Sequence, residues 1–345
     1  MTTAPVSRGP WRHAVAAFTL VELLVSMALL TFIMLILAGV TESAGRAWRE
    51  GQSRTETFQS ARTALEIVSR EITPAVVDTR MQFVLAPGDL LSRAGAKNVA
   101  PNSSALLWMA PLGEEGSLNC VGYYLYRDDA RQFYRLKRIF IPSPTDAKPS
   151  PYFPQMVNAS NPQDTALRTS SVNADWFTRK WDAEAFDEEN PANNQAVVSS
   201  AADGVVAMWV QCLDVLGKPI PLVSKSSVHP TSELFYNSAA FFQVATSTAF
   251  ENGRSLLYLA QTSQSMKANR VPAAIDLTLI TVDRRTLARG LKIPEMPDQT
   301  DPNYLDANGA INVDALVLEY KNRLRNNRIY NARTFSTRAK LVNGS

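Results

Sequence analysis

The side chains best suited to chemistry are few in this chain, and their spacing does not converge on a reaction. Histidine occurs only as His13 and His229. A histidine-based triad would have to be built on His229 within Ser227-Val-His-Pro, where a solvated loop histidine is the ordinary reading. The sequence holds no G-x-S-x-G, no G-x-x-x-x-G-K-[ST] and no H-E-x-x-H, which removes the support for a hydrolase, an NTPase or a zinc enzyme. Hard oxygen ligands cluster once, at Asp298, Asp301, Asn303, Asp306, Asn308 and Asp314. Calcium takes such ligands, but the spacing is not that of an EF-hand and no bidentate Glu closes it. A solvated turn is preferred, and Asp298, Asp301 and Asp306 stay as calcium candidates; no other metal or cofactor is expected. Cys120 and Cys212 lie too far apart for a CxxC motif. Outside the cytoplasm they could form one disulfide, and two separate buried thiols is the other reading. Lys321, Arg323, Arg325, Arg328, Arg333, Arg338 and Lys340 give the C-terminal region a basic lean of the kind that contacts phosphates. Tyr320, Tyr330 and Phe335 interleave with it, but strand core accounts for them.

One carboxylate stands apart from these. Glu22 is the lone charge in the run Phe18–Val40, which contains no proline. At about 1.5 Å per residue that run makes a helix of roughly 34 Å, enough to cross a bilayer core of about 30 Å. An acid inside such a helix costs a few kcal/mol and needs a partner. Cleavage between Ala17 and Phe18 would create a new amino terminus, and Glu22 could neutralise the amine of an adjacent subunit. Residues 1–17 carry Arg8, Arg12 and His13 and no acid, so this end stays cytoplasmic and the remainder faces the other side. Three readings compete: a leader cut before the apolar run, an uncleaved anchor, and a signal peptide cut after it. The formal charge of +3 falls to +1 once Arg8 and Arg12 leave with the leader, so nothing electrostatic favours nucleic acid as the main partner.

The elements that must position Glu22 extend well past the membrane. Ala44, Trp48, Gly51, Thr55, Phe58, Ala61, Leu65, Val68 and Ile72 recur at steps of three and four, with charged residues on the other faces. This pattern predicts an amphipathic helix whose seam docks on its own head, ended by Pro74. Thr19, Ser26 and Thr31 are tolerated in lipid if their hydroxyls return to the preceding turn. Beyond Pro74 the periodicity becomes that of strands. Cys120–Arg127 and Phe133–Ile141 flank Asp128-Asp129-Ala130 as a hairpin. Further strands are expected at 82–87, 105–110, 204–214, 273–283 and 330–342, with Asn312 capping a short helix over 314–324. The fold class is therefore α+β, a long N-terminal helix covering one face of an antiparallel sheet. The segments are 1–17 (leader), 18–40 (transmembrane), 41–73 (amphipathic helix) and 74–345 (head), with a Pro-, Asn- and Asp-rich insertion at 142–194.

Ala17-Phe-Thr-Leu-Val-Glu-Leu-Leu24 resembles the processing motif of type IV prepilins, which usually have Gly where this chain has Ala17. Val121-Gly-Tyr-Tyr-Leu, Gly204-Val-Val-Ala-Met-Trp-Val-Gln and Val271-Pro-Ala-Ala-Ile-Asp-Leu-Thr-Leu resemble the J-type minor pseudopilin of type II secretion. Arg333-Thr-Phe-Ser-Thr-Arg-Ala-Lys-Leu is similar to the ending of the Verru_Chthon cassette C group of prepilin-like proteins. The resemblance implies a non-enzymatic structural subunit in the inner membrane, with its head periplasmic or extracellular. It also implies trimming by a prepilin peptidase, N-methylation of Phe18 and assembly with other pilin-like subunits through the N-terminal helix. The alternatives are a membrane-anchored extracytoplasmic binding protein and a DNA-uptake pilin.

Overall fold

The first helix, α1, runs without interruption from Leu20 to Ile72. The computed structural model describes residues 19–77, 83–93, 96–113, 117–130, 133–143, 197–221, 236–237 and 272–342. Residues 1–18, nearly all of the 142–194 insertion and His229 lie outside them. The chain divides into two units, one ending at Gln52 and one beginning at Ser53. In the first, every position from Leu20 to Val40 is solvent-exposed. Gly39 remains helical, as its neighbours do.

In the second unit, α1 contributes Ala61, Ala64, Leu65, Val68 and Ile72 to the core. The expected seam is thus shorter than its periodicity: Trp48 and Phe58 stay 77% and 51% exposed. Helix α1 ends two residues before Pro74, whose ring is incompatible with a continuing turn.

The strands after it form two antiparallel sheets rather than the single one expected. These are β1 (Val84–Pro87), β2 (Ser104–Ala110), β3 (Asn119–Asp128), β4 (Phe133–Ile141), β5 (Val198–Asp203), β6 (Val205–Leu213), β7 (Tyr236–Asn237), β8 (Ala274–Thr281) and β9 (Arg333–Lys340). The larger sheet has the order β5-β4-β3-β2-β1-β7 and the smaller β6-β8-β9. The hairpin read from Cys120–Ile141 is present, with Cys120 opposite Ile141 and Asp128 opposite Phe133. Short helices α2 (Gly88–Arg93) and α3 (Arg284–Ala288) were not signalled by the sequence, while α4 (Val313–Asn326) begins as expected. Asn312 caps it, accepting the amide of Ala315 at 3.1 Å.

One apolar cluster joins α1, α4 and both sheets through Ile72, Trp108, Tyr123, Trp209, Leu279 and Tyr320. A second, smaller cluster fills the other face of the larger sheet around Val84, Leu107, Tyr124 and Ile139. With both faces covered, β2 is buried at all seven positions and reads as a continuous apolar run. Full burial of each such side chain stabilises the head by roughly 1.5–3 kcal/mol.

Gly204 lets the chain leave one sheet for the other. Its φ is +74°, its N–H donates to the Tyr134 carbonyl at 2.8 Å, and its own carbonyl accepts from Val282 N–H at 2.8 Å. A Cβ there would lie 2.6 Å from the Val282 carbonyl oxygen. Gly204→Ala is therefore expected to destabilise the head by about 1–3 kcal/mol, read as a lower urea midpoint for the detergent-solubilised protein. An unchanged midpoint would mean the corner can relax.

Candidate functional site

Among the described residues, nothing covers the apolar surface of the N-terminal segment. From Leu20 to Val40 thirteen residues are Leu, Ile, Val or Phe. Among the described residues, α1 is the one helix long and apolar enough to cross a membrane. Water does not tolerate a contiguous patch of this extent, so lipid or other helices must cover it. Its polar atoms are settled locally. Ser26 donates to the Glu22 carbonyl at 2.7 Å, Thr31 to Met27 at 2.8 Å, and Thr41 to Leu37 at 2.8 Å. Two of these were expected from the sequence; Thr19 instead caps the helix, its Oγ1 accepting the Glu22 amide at 3.3 Å. The Thr19 hydroxyl in turn points at the Glu22 carboxylate, 3.5 Å away. Thr19-x-x-Glu22 is the spacing of a capping box, and an acid in the first turn also complements the helix dipole by about 0.3–1 kcal/mol. Neither contact neutralises the charge. Ala17 and Phe18, the expected cleavage pair, lie outside the described residues. Past the apolar run, Glu42 and Arg46 form an exposed ion pair one turn apart.

A second carboxylate, at the far end of the same helix, escaped the sequence reading. Glu71 is 9% exposed, three residues beyond Val68 on the buried seam. Arg138 on β4 grips it with both arms, Nε to Oε2 and an Nη to Oε1, each at 2.8 Å. The Tyr123 hydroxyl donates to Oε2 at 2.6 Å, and Trp108 Nε1 donates to the Glu71 carbonyl at 3.2 Å. Trp108 and Tyr123 stack at 5.8 Å between ring centroids, and the Arg138 guanidinium lies 4.4 Å over the Phe140 ring. The last turn of α1 is thus fixed to β2, β3 and β4 by a fully partnered polar group in an apolar setting. An acid at an apolar-seam position was the available signal.

A parallel network ties the strand hairpin to the C-terminal segments. Tyr134 donates to Asp129 at 2.7 Å, and Arg127 contacts the same carboxylate at 3.0 Å while donating to the Ile293 carbonyl at 2.9 Å. Tyr320 on α4 reaches the carbonyls of Val206 and Pro294 at 3.1 and 3.2 Å. Burial pushes the phenols of Tyr123, Tyr134 and Tyr320 above their ordinary range, helped by Glu71 at Tyr123 and by Asp129 at Tyr134.

The remaining candidates separate in space. Cys120 and Cys212, considered as a disulfide, are both free and buried. Cys120 faces the smaller apolar cluster and Cys212 the larger, and burial pushes both thiols up. The acidic segment is a series of separate turns. Asp298 accepts from Thr300 N–H at 2.9 Å, Asp301 from Asn303 N–H at 3.0 Å, and Asp306 from the amides of Asn308 and Ala310 at 2.8 Å. Among the described residues no three His, Cys, Asp or Glu side chains gather as metal ligands. A 410 Å³ cleft between α1 and α3 mixes Ser53, Glu56 and Thr57 with Arg135, Asp203 and Arg284. There Arg135 Nε approaches Asp203 to 2.6 Å, so its charges are partly spent on each other.

The prokaryotic N-terminal methylation motif matches residues 12–38, a span that takes in Ala17, Phe18 and Glu22. No curated protein matches the sequence.

Two measurements test this geometry. Glu71→Ala strands Arg138 among apolar neighbours and is expected to cost about 3–5 kcal/mol in chemical denaturation of the purified protein. A loss under 1 kcal/mol would demote the contact to a surface pair. The folded tyrosines hold their protons above an unfolded pKa of about 10, so their stabilisation is complete below that pH and is lost progressively as pH rises beyond it towards the raised folded values. Thermal midpoints should therefore decline from about pH 10 upward, and a Tyr123→Phe variant should decline less steeply.

Proposed function

We propose that this chain, type IV prepilin-like at its N-terminus, is a minor pilin- or pseudopilin-like structural subunit of a type II secretion or type IV pilus-like fibre. The observation that carries the reading is the matched motif on the apolar stretch of α1, which is exposed at every position from Leu20 to Val40. The motif implies processing by a prepilin peptidase and assembly with other pilins, and the architecture, a long N-terminal helix followed by antiparallel sheets, is α+β and pilin-like.

The mechanism is assembly rather than catalysis. Arg8 and Arg12 hold the leader in the cytoplasm, the helix resides in the inner membrane, and the head faces the periplasm or the exterior. The peptidase cuts between Ala17 and Phe18, and the new amine of Phe18 is methylated. Glu22 then offsets the amine of a neighbouring subunit while the apolar face of the helix packs on other helices.

Mass spectrometry of the protein from its native membrane is expected to show an N-methylated Phe18 start; an intact Met1 would replace the fibre subunit with a tethered ectodomain. Glu22→Gln keeps the capping spacing and removes the charge. It should leave cleavage intact and cut co-assembly with pilin-like partners at least several-fold, whereas unchanged assembly would remove Glu22 from the pairing.

A further inference from the structure

Among the described residues, the smaller sheet ends on a strand that is paired on one side only. Strand β9 pairs with β8 on one side only, in a register that holds from Ala274–Lys340 to Thr281–Arg333 without a break. Just past its end, Leu341 N–H donates to the Ala273 carbonyl and Val342 N–H to the Thr73 carbonyl, at 2.9 and 3.0 Å. The alternation of an antiparallel ladder then fixes the direction of every backbone group in β9. Odd-numbered residues bond to β8, and the N–H and C=O groups of Thr334, Ser336, Arg338 and Lys340 point outward. Exposed edges of this kind are templates for strand addition.

The face on which an added strand would lay its inner side chains is already shaped. A groove of 650 Å³ separates this edge from α1, lined by Phe58, Arg62, Leu65, Glu66, Arg70 and Phe335. Phe58 and Phe335 meet edge to face at 5.6 Å, yet Phe58 remains 51% exposed. Arg62 and Arg70, with Glu66 between them, make no ion pair among the described residues. Strand β9 itself carries Arg333, Arg338 and Lys340 and no acid, and among the described residues Arg338 is matched by Asp276 at 2.7 Å. The groove thus pairs apolar rings with a basic wall on the α1 side, Arg62 and Arg70 against Glu66, while the cations of β9 lie beside it on the strand.

We propose that this edge and groove receive an extended acidic segment of another polypeptide as a fourth strand of the smaller sheet. The inference goes beyond the fibre reading and holds for the folded head whether or not the leader is cut. A second copy of β9 is a poor occupant, because pairing would set its three cations against the same three. Nucleic acid would use the cations but neither the outward backbone groups nor the apolar rings, whereas an acidic strand uses all three.

The probe is a fluorescein-labelled heptapeptide of alternating Glu and Val, titrated by anisotropy against the full chain in micelles. Two control peptides carry Gln for Glu, or N-methyl groups on alternate backbone nitrogens. Binding of the acidic peptide is expected, with each control at least tenfold weaker and affinity falling as salt is raised. Ser336→Pro, which deletes one outward N–H and no backbone bond to β8, should weaken binding at least tenfold, and Ser336→Ala, which removes the same hydroxyl contact with Thr278 but keeps the N–H, should not. The exposed pair Arg62→Glu and Arg70→Glu should do so as well, in a background of unchanged circular dichroism. No binding, or equal binding of the N-methylated peptide, overturns strand addition. Dimerisation abolished by Ser336→Pro would assign the edge to a second copy, and tighter binding of a single-stranded oligonucleotide would assign it to nucleic acid; either overturns the proposal.

Discussion

A carboxylate leaves water only at a cost that a counter-charge offsets, and that constraint acts on the two ends of one helix in different ways. At Glu71 the counter-charge is internal. Arg138 supplies a bidentate partner, Tyr123 a third donor, and the surrounding rings exclude water. At Glu22 the described residues supply a capping threonine, which orients the carboxylate without neutralising it. One end of α1 is complete within the molecule. At the other, no described residue neutralises the carboxylate or covers the apolar surface.

The same distinction explains which parts of the structure were legible beforehand. The span, its lone acid, the Pro74 stop, the Cys120–Ile141 hairpin and the Asn312 cap follow from local rules, since periodicity and terminating residues act within a few positions. The separation into two sheets was not legible. It depends on one residue, Gly204, taking a positive φ at a corner where Val282 leaves no room for a side chain. Glu71 was missed because its partners are 52 and 67 residues away. The reach of the α1 seam was overestimated for a related reason. Steps of three and four recur through Trp48 and Phe58, but a stripe is buried only where a surface exists to meet it.

Strand β8 shows how far alternation can mislead. Its odd positions Ile275, Leu277 and Leu279 are buried as the pattern implies, yet Thr278 and Ile280 are buried too. Central in its sheet, β8 has polar side chains that close onto neighbours, as Thr278 does with Ser336 at 3.0 Å. Polarity on such a strand marks side-chain pairing across the ladder rather than free solvent.

The balance of energies at the N-terminal end separates two roles that Glu22 could be thought to combine. Thirteen Leu, Ile, Val and Phe residues between Leu20 and Val40 favour insertion by about 0.3–0.6 kcal/mol each, or roughly 4–8 in all. An acid opposes it by about 2.5–3.5 kcal/mol at the bilayer centre and by less near an end, where Glu22 lies. Insertion therefore proceeds with the carboxylate unmatched, and membrane residence does not require a partner for it. What the unmatched charge changes is the comparison between neighbours: a helix–helix contact that brings an amine to Glu22 gains electrostatically in a low dielectric, and one that does not gains nothing. On the proposed reading, the residue selects a register between subunits. On the same reading the apolar run, indifferent to register, would hold each subunit in the membrane until that contact is made.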